Sequence, residues 1–159
     1  MSFSWQSNMF ALAMKFNLRH IGIASNNTAV AAKFWTEAFG FEEYWNQDEP
    51  SPYISELLGF EASGVRTVKL KSPSGDVVEL LDFSSVNGFP ARVDGNRLML
   101  PGVTHIALTV PDLDEVSDRL RELGCQPISP IQHAPNSGVR VLYLEAPDCV
   151  YLEVVQESE

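Results

Sequence analysis

Hydrophobic and polar positions along this chain switch between two periods, and the switch happens twice. Residues 18–24 read Leu18-Arg19-His20-Ile21-Gly22-Ile23-Ala24, an apolar run with the length and composition of a strand. Asn26 or Asn27 then offers a helix N-cap, Val30, Phe34 and Ala38 recur at helical spacing, and Gly40 supplies a left-handed stop. The second copy opens with Val103-Thr104-His105-Ile106-Ala107-Leu108-Thr109. Asp112 is its cap, Leu113, Val116, Leu120 and Leu123 form its buried stripe, and Gly124 closes it. From histidine to closing glycine the distance is 20 residues in the first copy and 19 in the second, which marks a duplicated unit.

The later part of each copy repeats as well. Pro73 and Pro147 each open a turn that feeds a strand, and a glutamate, Glu79 or Glu153, follows six residues after the proline. Between helix and last strand there is room for two further strands, at residues 42–46 and 65–71 in the first copy and 126–128 and 139–144 in the second. The pattern predicts an α+β protein of two βαβββ modules. Their strands are expected to form a curved, mostly antiparallel sheet cup with the helices outside. The boundaries are 1–15 for an N-terminal extension, 16–90 for the first module, 91–102 for a linker and 103–156 for the second module.

Strand periodicity assigns faces. Ile21 and Ile23, and Ile106, Leu108 and Val110, occupy the face that packs against helices, which puts His20 and His105 opposite, beside Gly22, Ala24, Ala107 and Thr109. Glu79 shares a face with Val77, Leu81 and Phe83, and Glu153 with Cys149, Tyr151 and Val155. Two imidazoles and two carboxylates are thereby expected on the face away from the helices. An uncompensated carboxylate on such a face costs several kcal/mol, and a divalent metal would supply the missing cation.

Composition narrows the partners. A 159-residue chain that is 45% hydrophobic can bury a real core. Its formal charge of -10, with 11 Lys and Arg in all, argues against nucleic acid or an anionic membrane as partner. Two cysteines, Cys125 and Cys149, do not make a secreted disulfide framework, so a reduced, cytoplasmic setting is expected. The apolar stretch at residues 9–16 is too short to span a bilayer and reads as part of the extension.

The doubled plan, opened by Arg19-His20-Ile21-Gly22-Ile23 and Thr104-His105-Ile106-Ala107-Leu108, with Phe34-Trp35-Thr36-Glu37-Ala38-Phe39-Gly40-Phe41 closing the first helix and Tyr151-Leu152-Glu153 near the end, resembles the vicinal oxygen chelate superfamily. That group contains glyoxalase I, methylmalonyl-CoA epimerase, extradiol dioxygenases and bleomycin and fosfomycin resistance proteins. The resemblance implies that His20, Glu79, His105 and Glu153 hold one divalent metal, with Ni, Co, Zn, Mn or Fe suited to such a donor set. A metal-capable Glu79 resembles the bacterial glyoxalase I arrangement. It implies a lyase or isomerase that moves a proton next to a metal-chelated carbonyl through an enediolate, with Glu153 as the base and Glu79 as ligand or second carboxylate. A small-molecule substrate and a homodimer are expected, and the repeat allows the modules to pair within a chain or across the dimer. The alternatives are an extradiol-type iron dioxygenase and a non-catalytic small-molecule-binding resistance protein.

The copies also differ. Histidine to glutamate spans 59 residues in the first and 48 in the second, so the first carries an insert between Asn46 and Arg66, with Tyr53, Leu57, Leu58 and Phe60 in a short helical pattern that is a candidate lid. Cys149 stands in the last turn where Gly75 stands in the first copy, which predicts a differently shaped or strained turn. Candidate substrate contacts are Trp35, Tyr53, Phe83 and His133, and Arg66, Arg97 and Arg140 are candidates to hold an anionic substrate.

Overall fold

The computed structural model describes residues 17–86, 88, 97–99 and 101–158. The extension at 1–15 and most of the linker at 91–102 lie outside the described residues. The first module runs β1 (Ile21–Ser25), α1 (Thr28–Phe39), β2 (Glu42–Pro50), α2 (Tyr53–Leu58), β3 (Gly64–Lys71) and β4 (Val77–Asp82). The second runs β5 (Ile106–Thr109), α3 (Leu113–Glu122), β6 (Gln126–Pro127), β7 (Gln132–His133), β8 (Arg140–Ala146) and β9 (Val150–Gln156). The βαβββ plan is thus present twice, with α2 added in the first copy and the second strand split into two short pieces, β6 and β7, in the second.

Each module forms its own sheet, in the order β1-β4-β3-β2 and β5-β9-β8-β6, with β7 also paired to β8. The outer pairs β1·β4 and β5·β9 are parallel and the others antiparallel. Alternate residues of the inner strands, Val78 and Leu80, Leu142 and Leu144, Leu152 and Val154, enter one core together with α1 and α3. Because the helix-side faces of both sheets share that core, the opposite faces are both turned away from it.

The helix ends follow the sequence. Asn27 caps α1 by accepting from the Val30 amide, and Gly40 closes it at φ 70°. Asp112 caps α3 by accepting from the amides of Asp114 and Glu115. The buried face of α1 differs from the expected stripe, because Val30 is 57% exposed and Ala31, Phe34, Trp35 and Ala38 are buried instead. Ala31, Phe34, Trp35 and Ala38 form an i, i+3, i+4, i+7 stripe, and Trp35 packs edge-on against Phe34 and Phe41.

The insert forms the expected short helix. Through Ile54, α2 packs with Ala62, Val65, Leu81 and Phe83 in a separate small core. Val65, Leu81 and Phe83 project from the face of the first sheet that α1 leaves open, so α2 covers one end of that face. The last turn of the second module is strained as expected: Asp148 and Cys149 have φ of 59° and 58°, whereas the first copy has Gly75 at 100°. Asp148 Oδ1 accepts from the Asn26 amide at 3.2 Å and so ties this turn to the start of α1.

Candidate metal centre

His20 and His105 immediately precede β1 and β5, and each meets the glutamate of its own module's last strand. His20 Nε2 lies 2.9 Å from Glu79 Oε2, and His105 Nε2 lies 2.9 Å from Glu153 Oε2. The duplication therefore holds at atomic detail. In the first sheet Gly22, Glu79, Lys69 and Trp45 are neighbours in register across four strands. In the second sheet Ala107, Glu153 and Tyr143 occupy the same places. Gly22 and Ala107, beside the carboxylates, leave space above them.

The environments of the two carboxylates differ. Glu79 is 13% exposed, and its second oxygen accepts from Lys69 Nζ at 3.1 Å. Lys69 is itself 21% exposed and lies 5.9 Å from the centroid of the Trp45 ring. Glu153 is 23% exposed and has the phenol of Tyr143 beside it. Burial, and then the hydrogen bond and charge of Glu153, push the Tyr143 hydroxyl above its usual range, so it stays protonated at neutral pH. The same hydroxyl lies 3.4 Å from His105 Nε2, with the rings edge to face at 5.2 Å. His105 Nδ1 is oriented by Thr104 Oγ1 at 2.8 Å.

Two imidazoles and two carboxylates suit a divalent cation. Each pair also stands at a fitting spacing, since metal–ligand bonds of about 2.1 Å at right angles set neighbouring donors about 3 Å apart. The chain brings these residues together two by two. Among the described residues no three of His, Cys, Asp or Glu gather closely enough to hold a metal. The reason is the shared core, which turns both open faces outward.

Of the candidate substrate contacts, none joins a His–Glu pair. Trp35 is 3% exposed in the core and Tyr53 is 55% exposed on α2. Phe83 packs under α2, its ring 6.1 Å from that of Phe60. His133 is exposed on β7. Arg140 projects from the helix side of β8, held by Asp114 at 2.8 and 2.9 Å and by Gln156 at 3.1 Å. Arg66 pairs with Asp48 at 3.2 Å, and the side chain of Arg97 lies outside the described residues. A groove of about 960 Å³ between the modules takes in His20 but neither ligand-candidate carboxylate, so it is distinct from the open faces. Lys69 and Tyr143 were missed in the sequence, although each stands ten residues before its glutamate.

A family model for the Glyoxalase/Bleomycin resistance protein/Dioxygenase superfamily matches residues 17–154. The chain belongs to this superfamily. Among solved structures, this glyoxalase-superfamily chain is similar to a glyoxalase family protein from Bacillus cereus, at 21% identity and TM-score 0.79, covering 94% of this chain and 100% of that one. One from Enterococcus faecalis gives 23% identity and TM-score 0.64 over 87% and 96% of the two chains. The fosfomycin resistance protein FosX from Listeria monocytogenes, in complex with Mn(II) and sulfate, gives 16% identity and TM-score 0.60 over 91% and 95%. These likenesses establish the fold. No curated protein sequence matches the chain.

Proposed function

We propose that this glyoxalase-superfamily protein is a divalent-metal-dependent lyase or isomerase of glyoxalase or epimerase type, acting on a small carbonyl compound as a homodimer. The observation that carries the reading is the matched pair of His–Glu contacts, His20 with Glu79 and His105 with Glu153, at equivalent places of the two modules. Since each pair faces outward on its own sheet, the metal would be held by His20 and Glu79 of one chain and His105 and Glu153 of a second copy. FosX, which shares this fold, holds Mn(II), in keeping with such a centre.

When bound, the metal polarises the substrate carbonyl and lowers the barrier to removing the neighbouring proton. The chain's own residues do the rest. Glu153 takes the proton and returns it on the neighbouring carbon, and the protonated Tyr143 phenol beside it donates to the carboxylate. Thr104 fixes the ring orientation of His105. The wall formed by α2, with Leu81 and Phe83 beneath it, keeps water from one end of the site. Neither Cys125 nor Cys149 forms a disulfide, in keeping with a cytoplasmic enzyme.

Metal content tests this. Protein purified without chelator is expected to carry a divalent metal, which His20→Ala and Glu153→Ala each largely lose; equal metal in all three, or none in the wild type, overturns the site.

A further inference from the structure

Resting on that metal reading, we infer that Lys69 is a positioning residue: it restricts Glu79 to one metal-binding oxygen and so keeps a coordination position open for substrate. The modules supply an internal comparison. At the place beside the last-strand glutamate, the first module has a lysine and the second a tyrosine. Both oxygens of Glu79 are committed, Oε2 to His20 Nε2 at 2.9 Å and Oε1 to Lys69 Nζ at 3.1 Å. The tyrosine hydroxyl beside Glu153 is a neutral donor where Lys69 is a charged one, and it is shared with the histidine of its module, 3.4 Å from His105 Nε2.

A carboxylate whose second oxygen is free can rotate and chelate through both oxygens, filling a site that substrate or water would take. An ammonium hydrogen-bonded to that oxygen opposes the rotation, because a charge-assisted bond would have to break. Lys69 is well placed to do this. It is 21% exposed, its ammonium lies over the Trp45 ring, and its strand lies between β2 and β4, so the long side chain is held rather than free. Its charge also offsets one of the two carboxylates around the cation, which leaves the centre more electrophilic than its four ligands alone would make it.

Mn²⁺ alone is the probe, with affinity and the number of exchangeable metal-bound waters read by water-proton relaxation on wild type, Lys69→Met and Lys69→Arg, and with Lys69→Gln as a second neutral variant should the Met protein fail to fold. The neutral variant is expected to bind Mn²⁺ several-fold tighter than wild type and to hold about one bound water fewer, with Lys69→Arg close to wild type. A merely structural role for Lys69 gives weaker binding instead. Unchanged or weaker affinity with wild-type hydration overturns the inference and leaves the metal centre standing, whereas a wild type that binds no Mn²⁺ overturns both.

Discussion

A carboxylate or an imidazole is defined in this fold by what its side chain meets. Glu79 and Glu153 are the same residue type at the same place in the repeat, yet one faces an ammonium and the other a phenol. Burial pushes the Cys125 thiol up to about 11, which keeps it protonated in the core at neutral pH. Strain is also local. Cys149 has φ of 58° directly after Asp148 at 59°, a conformation that is disfavoured for residues with a side chain. Cys149→Gly is expected to stabilise the fold by about 1 kcal/mol and to raise the thermal midpoint by roughly 3 °C. Calorimetry of the two proteins checks this, and an unchanged or lower midpoint refutes it.

At the level of elements, the second module relies on a polar tether where the first relies on apolar packing. The helix α1 is held by an aromatic group around Phe34, Trp35 and Phe41. The helix α3 buries Leu113 and Leu120 and is additionally joined to β8 by the two-pronged Arg140–Asp114 pair. The hydrogen bond from Arg140 holds the Asp114 carboxyl below its ordinary value of 3.8. A carboxylate with a lowered folded value gives stability that is complete above the ordinary value and is lost as the pH falls through the folded one. Urea unfolding should therefore find Asp114→Asn less stable than wild type at pH 7, with the gap closing below about pH 4. A gap that persists undiminished at low pH would show that the tether is not electrostatic. The surface location of the pair keeps the expected effect modest.

The whole molecule is arranged back to back. Both sheets give their helix-side residues to one core, so the faces bearing the His–Glu pairs point outward, and the proposed four-ligand centre takes its second pair from a second copy. Mixing two defective chains tests this directly. A mixed dimer of His20→Ala and His105→Ala chains contains one site with both lesions and one with none. Equilibrating the two variants should restore roughly a quarter of the wild-type metal sites, given random pairing and one intact site in each mixed dimer. If all four ligands came from the same chain, no mixture could restore any.

Much of this was legible in the residues themselves. Period-2 and helical runs, caps at Asn27 and Asp112, and the repeated histidine and glutamate spacing report local geometry that neighbouring residues impose. The sequence therefore determined the duplicated βαβββ plan and which residues share a strand face. Other features depend on contacts distant in the chain. Which residue lies beside Glu79 or Glu153 depends on strand register, and one residue of slip would replace Lys69 and Tyr143 with their core-facing neighbours. The burial of Trp35 depends on how α1 rotates against both sheets, and the capture of Arg140 by Asp114 on where α3 crosses β8. The sequence by itself determined four candidate ligands in two equivalent halves; only the tertiary structure decided that the halves face apart, because that follows from the common core into which both modules pack.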